Sequence, residues 1–136
     1  MLPAADNKLN NTFKKRDKIK SSLEIEVLYR VNQVIMSFPM KCYYSFSEIN
    51  EHPSNIRVAF AVPKRIFKHA VDRNILKRRM REAYRLNYKT IFETFVKQRE
   101  QQLELFIIYI GKETLDYGCI EKSMQVLMQK IAAISL

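Results

Sequence analysis

Residues 71–90 place an apolar stripe and a cationic arc on one predicted helix, and this pattern constrains the chain more than any other feature. The period is about 100° per residue, as in an amphipathic α-helix. The apolar stripe, which continues just past the segment, consists of Leu76, Met80, Ala83, Tyr84 and Ile91. The opposite arc carries Asn74, Lys77, Arg78, Arg81, Arg85 and Lys89. The stripe predicts a helix that packs on a core, and the arc predicts a partner for its charge.

A run of charges is most often a solvated helix face, but two features of this helix favour a binding role. Cationic residues recur at every fourth position from Arg73 to Lys89, and like charges at that spacing destabilise a free helix. A face selected only for solubility intersperses acids, whereas Glu82 is the only acid between those two residues. We therefore predict that this face binds a polyanion.

The positive charge of the whole chain is concentrated in two segments. The formal net charge is +10, and residues 64–89 hold ten basic residues against two acids. Residues 8–20 hold six basic residues against Asp17, whereas the rest of the chain is slightly acidic. Such focusing is typical of proteins that bind nucleic acid.

The remaining patterns predict one domain in the order helix, strands, helix, strand, helix. A chain of 136 residues is the usual size of a single domain. We expect a flexible basic tail over residues 1–17 and one domain over residues 18–136. The expected elements are a helix over Ile19–Tyr29, strands Val34–Ser37, Met40–Phe46 and Ile56–Val62, a central strand Leu105–Ile110 and a last helix Asp116–Ile134. Residues 93–104 are interpreted as a charged, Gln-rich connector.

Two of the predicted strands share a face that is suited to nucleic acid. Side chains alternate between faces along a strand, so Lys41 and Tyr43 point away from Met40, Cys42, Tyr44 and Phe46. Ala59 and Ala61 keep the corresponding face of the next strand small. An aromatic and basic surface of this kind stacks single-stranded bases. In contrast, we predict that Tyr84, Phe92 and Phe106 are core residues.

The sequence predicts binding and not catalysis by the protein itself. The acids are scattered, and His52 and His69 are interpreted as loop residues, so neither a metal site nor a catalytic site is expected. Cys42 and Cys119 stand alone, which indicates reduced thiols in a cytoplasmic protein. The longest apolar run has six residues, too few to span a membrane, and the first ten residues do not resemble a secretion signal.

These patterns leave more than one function open. A non-catalytic structural RNA binder, such as a ribosomal protein or an RNA chaperone, fits the charge pattern. A DNA-binding regulator fits less well, because no groove-docking motif is present. A mixed sheet beside a cationic helix is commoner among RNA binders.

Residues 57–85 read RVAFAVPKRIFKHAVDRNILKRRMREAYR and resemble the signature of the bacterial ribonuclease P protein subunit. That signature is a strand, a basic pair, a short loop and the pattern A-V-x-R-N-R-x-K-R-x-x-R-E-A. The resemblance extends over about 18–134 and includes the apolar segment LFIIYIG. It implies an α/β (α+β two-layer) sandwich with a four-stranded mixed sheet and a left-handed crossover through the basic helix.

The resemblance also implies a function. The protein would be the accessory subunit of an endoribonuclease whose catalytic RNA removes 5′ leaders from precursor tRNA. Its partners would be that RNA, in a one-to-one complex with a monomeric protein, and precursor tRNA. The protein would bind no cofactor, and the Mg²⁺ of the complex would be held mainly by RNA.

Two sets of binding residues follow from the resemblance together with the strand face. The set expected to bind RNA is Lys64, Arg65, Lys68, Arg73, Asn74, Lys77, Arg78, Arg81 and Arg85. The set expected to form a leader-binding cleft is Ile25, Tyr29, Lys41, Tyr43, Ala59 and Ala61. Ile75 stands where the family has the last Arg of its Arg-Asn-Arg core, so that contact is absent or comes from a neighbour such as Arg79. Ile25 stands where an aromatic residue is common.

Overall fold

The computed structural model describes residues 33–48, 55–98 and 101–135. Its strands are β1 (Val34–Ser37), β2 (Met40–Glu48), β3 (Ile56–Ala61) and β4 (Gln101–Tyr109). Its helices are α1 (Ala70–Ile91), α2 (Glu93–Gln98) and α3 (Tyr117–Ser135). The predicted tail over 1–17 and the predicted helix over Ile19–Tyr29 lie outside the described residues.

The four strands form one mixed sheet in the order β1-β2-β4-β3. Strand β2 pairs antiparallel with both β1 and β4, whereas β3 and β4 run parallel. The position of β4 between β2 and β3 confirms the prediction that its continuous apolar run is a central strand. The parallel neighbours β3 and β4 are connected through α1 and α2, and the left hand of this connection stays a prediction.

The core lies between one face of the sheet and the helices α1 and α3. The predicted stripe of α1 is confirmed, because Leu76, Met80, Ala83 and Tyr84 are buried and Ile91 packs against the core. Helix α3 buries Ile120, Met124, Leu127, Met128 and Ile131 against the same core. Each buried Leu, Ile or Met side chain contributes about 1.5–3 kcal/mol relative to exposure. This packing fixes which face of α1 points outward.

Several sequence predictions are corrected by the structure. Residues 93–104 are not a connector: they contain α2 and the first four residues of β4. Phe106 was predicted to be a core residue, but it lies on the other face of the sheet and is not in the core cluster. Tyr84 and Phe92 are buried in the core cluster, as predicted. Helix α3 begins one residue later than predicted, since Asp116 caps it by accepting a bond from the Cys119 N–H at 2.8 Å.

Candidate nucleic-acid interface

Residues 62–69, which we call the basic connection, join β3 to α1. The Pro63 carbonyl accepts bonds from the backbone N–H groups of Ile66 (3.3 Å) and Phe67 (3.1 Å), which close a tight turn. The Phe67 ring is buried edge-on against Tyr109, with ring centroids 5.7 Å apart. Because the connection is anchored from below in this way, its basic side chains point outward. Those side chains are Lys64, Arg65 and Lys68, and all three are exposed.

The outward face of α1 extends this basic surface. Arg78 and Arg81 are exposed and Lys77 is half-buried, and none of the three side chains has a hydrogen bond or ion pair to another described residue. The same holds for the cations of the basic connection. We call the six the free cations: Lys64, Arg65, Lys68, Lys77, Arg78 and Arg81. Asn74 is exposed beside them at the start of α1. Ionised donors that have no partner among the described residues are available to phosphate oxygens, with which they form strong charge-assisted hydrogen bonds.

Three other arginines of α1 are bonded within the protein. Arg73 donates through Nη1 to the carbonyl oxygens of Phe67 and Lys68. Arg79 donates through Nη1 to the Leu115 carbonyl oxygen at 2.6 Å, so it faces the segment before α3. Sequence periodicity missed these bonds, because a helical pattern shows where a cation points and not which backbone carbonyl it meets.

Arg85 forms a two-point ion pair with Glu82, one turn earlier in α1. Its Nε donates to Oε1 at 2.9 Å and its Nη2 donates to Oε2 at 2.8 Å. This contact lowers the pKa of Glu82 and raises that of Arg85. Both side chains are partly exposed, so the pair holds the guanidinium in place and adds little stability. Arg85 still carries its charge at the edge of the basic surface.

The second face of the sheet carries the predicted cleft residues that the structure describes. Tyr43 lies opposite Phe106 on β4, which lies opposite Ala59 on β3. One step along the sheet, Lys41 lies in the same row as Ala61. The structure therefore brings these four predicted residues together on a face that is separate from the core cluster. Ile25 and Tyr29 lie outside the described residues.

Aromatic and cationic groups on this face are in contact. The rings of Tyr43 and Phe106 stack with centroids 6.4 Å apart, and the Lys41 Nζ lies 5.2 Å from the Tyr43 centroid. Tyr43 is only 9% exposed, so its surroundings already cover most of its ring. Sequence reasoning missed Phe106, and the alternation of β4 would have placed it on this face.

One end of the same face is polar. Arg57 on β3 pairs with Glu104 on β4 at 3.6 Å, and both side chains are largely buried. The register places Ser45 in the same row. The face therefore changes from aromatic at Tyr43 to polar at Ser45, two residues further along β2.

The remaining reactive side chains lie elsewhere. Cys42 is buried on the core side, and burial raises the pKa of its thiol far above the usual value. Cys119 is exposed, and the neighbouring Asp116 carboxylate raises its pKa. Within residues 33–48, 55–98 and 101–135, no three His, Cys, Asp or Glu side chains are grouped as metal ligands. No helix in those same ranges is long and apolar enough to cross a membrane.

Known proteins resemble this chain in sequence and in fold. The sequence model of the Ribonuclease P family matches residues 13–132. The ribonuclease P protein component of Porphyromonas gingivalis is 30% identical over 114 residues, covering 80% of this chain and 78% of that protein. That of Chlorobium phaeobacteroides is 28% identical over 129 residues, covering 89% and 88%. The structure of the Staphylococcus aureus RNase P protein, at 20% identity, superposes with a TM-score of 0.62 and covers 85% of this chain and 94% of its own. This chain belongs to the ribonuclease P protein family.

Proposed function

We propose that this chain is the protein subunit of ribonuclease P and assists the RNA subunit in removing 5′ leaders from precursor tRNA. Family membership supports this role. The observation that carries it is the outward set of free cations. The buried stripe of α1 orients three of them, and the buried Phe67 ring anchors the basic connection that carries the other three. A structured RNA presents many phosphates to such a surface, and each phosphate that is neutralised releases counterions.

We further propose that the RNA subunit carries out the hydrolysis, with Mg²⁺ that RNA holds, and that the protein contributes binding. The basic surface supports this division of roles. All six free cations are lysine or arginine side chains, and a guanidinium does not lose its proton in proteins. Such groups bind and orient phosphates, whereas activation of water needs a proton acceptor or a metal ion.

The leader of precursor tRNA is proposed to bind on the second sheet face. Phe106 is half-buried beside Tyr43 and can present ring area to a base, and Lys41 offers a charge for the backbone beside it. Ala59, the partner of Phe106 on β3, adds only a methyl group to that row. The free cations and this sheet face lie on different elements, so one protein monomer can contact the RNA subunit and the substrate together.

Reconstitution tests the proposal. The protein is mixed with the ribonuclease P RNA of the same organism, and cleavage of a precursor tRNA is followed at low and high Mg²⁺. We expect no cleavage by the protein alone, and faster cleavage at low Mg²⁺ when both subunits are present. Cleavage by the protein alone would contradict the division of roles. Capture of ribosomal RNA, with no effect on the ribonuclease P RNA, would favour the structural RNA-binding alternative.

A further inference from the structure

Arg73 differs from the free cations because its side chain folds back onto its own chain. Its Nη1 donates to the carbonyl oxygen of Phe67 at 2.8 Å and to that of Lys68 at 2.9 Å. Its backbone N–H donates to the His69 carbonyl at 3.3 Å. His69 makes no side-chain bond as the N-cap of α1. The Arg73 guanidinium is therefore the side chain that joins the end of the basic connection to the first turn of the helix.

The two carbonyl groups that Arg73 holds lie among three of the free cations. Lys64 and Arg65 precede these carbonyl groups in the turn that Pro63 closes, and one of the two carbonyl groups is that of Lys68 itself. The connection thus has two anchors: the Phe67 ring buried beside Tyr109, and the Arg73 bonds on its outer side. A long cationic side chain on a loosely held backbone loses more conformational freedom when it binds.

We propose that Arg73 is a positioning residue, which fixes the basic connection so that Lys64, Arg65 and Lys68 meet RNA phosphates together. This inference rests on the proposed function. It assigns Arg73 a role unlike that of Arg81, which has the same charge and lies two turns later on α1 but has no partner among the described residues. Neutralising Arg81 removes one charge, whereas neutralising Arg73 also weakens the contacts of three others.

The test is a double-mutant cycle on binding of the full protein to the ribonuclease P RNA. The connection variant carries Lys64→Ala, Arg65→Ala and Lys68→Ala, and it is combined with Arg73→Met or with the matched control Arg81→Met. We expect the connection substitutions to weaken binding about tenfold in the wild-type and Arg81→Met backgrounds, and about threefold or less with Arg73→Met. Hydrogen exchange of the free protein should show faster exchange at the Ile66 and Phe67 amides with Arg73→Met only.

Arg73→Lys keeps the charge and is the second variant, needed if Arg73→Met does not fold. An ammonium lacks the planar fork of a guanidinium. In the Arg73→Lys background we therefore expect the connection substitutions to weaken binding about threefold or less, with the same faster exchange, in a protein that melts normally. A tenfold effect of the connection substitutions in the Arg73→Lys background, with exchange at the wild-type rate, would overturn the proposal, because the charge of Arg73 would then explain its role. If neither the connection variant nor Arg81→Met weakened binding, the proposed function would fail instead, since this surface would not bind the RNA.

Discussion

The rings of Tyr43 on β2 and Phe106 on β4 stack across the sheet at 6.4 Å, with their planes 28° apart. The two residues are direct partners in the β2–β4 register, so the pairing of the strands itself holds the rings together. Tyr44, the next residue, points to the opposite face and packs against the core. Adjacent tyrosines in β2 therefore take part in separate surfaces of the protein.

This separation predicts that Tyr43→Ala weakens binding of leader-bearing precursor tRNA by roughly tenfold or more, since stacking contributes about 1–3 kcal/mol per base. Mature tRNA lacks the leader and should bind the reconstituted complex unchanged. The matched control is Tyr44→Leu, which should lower the melting temperature and leave the ratio of the two affinities as it is. Equal losses for precursor and mature tRNA would argue against a leader site on this face.

The free cations predict a specific salt dependence. Replacing Lys77 and Arg81 together by Ala should reduce the slope of log K against log salt for RNA binding by roughly 1.5, because each phosphate contact contributes about 0.7–0.9. Arg79→Met removes one charge that is bonded to Leu115 and should change the slope little while lowering stability. Binding titrations between about 50 and 200 mM salt give both slopes. If the Lys77 and Arg81 variant kept the wild-type slope, this face of α1 would be only solvated.

The hydrogen bonds of Tyr109 should stabilise the segment before α3. Its ring is buried, and its hydroxyl donates to the Glu113 carbonyl and accepts from the Leu115 N–H. Tyr109→Phe leaves both backbone groups without this partner, which should cost about 1–3 kcal/mol in the free energy of unfolding. Urea denaturation measures the loss.

The cost of Tyr109→Phe should also depend on Arg79, since Arg79 bonds the Leu115 carbonyl in the same segment. The combined variant with Arg79→Met should deviate from additivity by at least about 0.5 kcal/mol. Simple additivity would mean that the two bonds stabilise the segment independently.

The reactivity of the Cys119 thiol should depend on the charge of the neighbouring Asp116. The Asp116 carboxylate accepts a bond from the thiol and repels the thiolate, so the pKa of Cys119 is raised. Asp116→Asn keeps a helix-capping side chain but removes the charge, so the pKa should fall and alkylation at pH 8 should be faster. Mass spectrometry after timed iodoacetamide treatment separates this site from buried Cys42. An unchanged rate for Cys119 would show that Asp116 does not set its pKa.

Periodicity predicted the elements of the fold well because burial dictates it directly. The stripe of α1 repeats at helical spacing, and β3 alternates apolar core-facing side chains with Arg57, Ala59 and Ala61 on its other face, so both elements were placed within about one residue. The beginning of β4 was missed, since Gln101, Gln102 and Glu104 are polar although they pair with β2. Strand pairing tolerates polar residues where the second face has polar partners, such as Arg57 opposite Glu104.

The candidate site was predictable as a surface and not as a set of bonds. The outward direction of Lys77 and Arg81 follows from the buried stripe on the other side of α1. The partners of Arg73 and Arg79 are backbone carbonyls, one set in a turn and the other 36 residues away, and carbonyls leave no mark in the sequence. The sequence therefore grouped cations that the folded chain uses in two different ways.

The position of β4 between β2 and β3 governs the order in which this protein can assemble. Strands β2 and β3 form no hydrogen-bonded pair with each other. Of the strand pairs among the described residues, the β1–β2 pair is therefore the one that can form without residues 101–109. Until those residues pair, α1 has no complete sheet beneath its apolar stripe, and its repeated positive charges repel one another. We expect refolding of the protein to become faster as ionic strength rises, because salt screens this repulsion while the sheet is still incomplete.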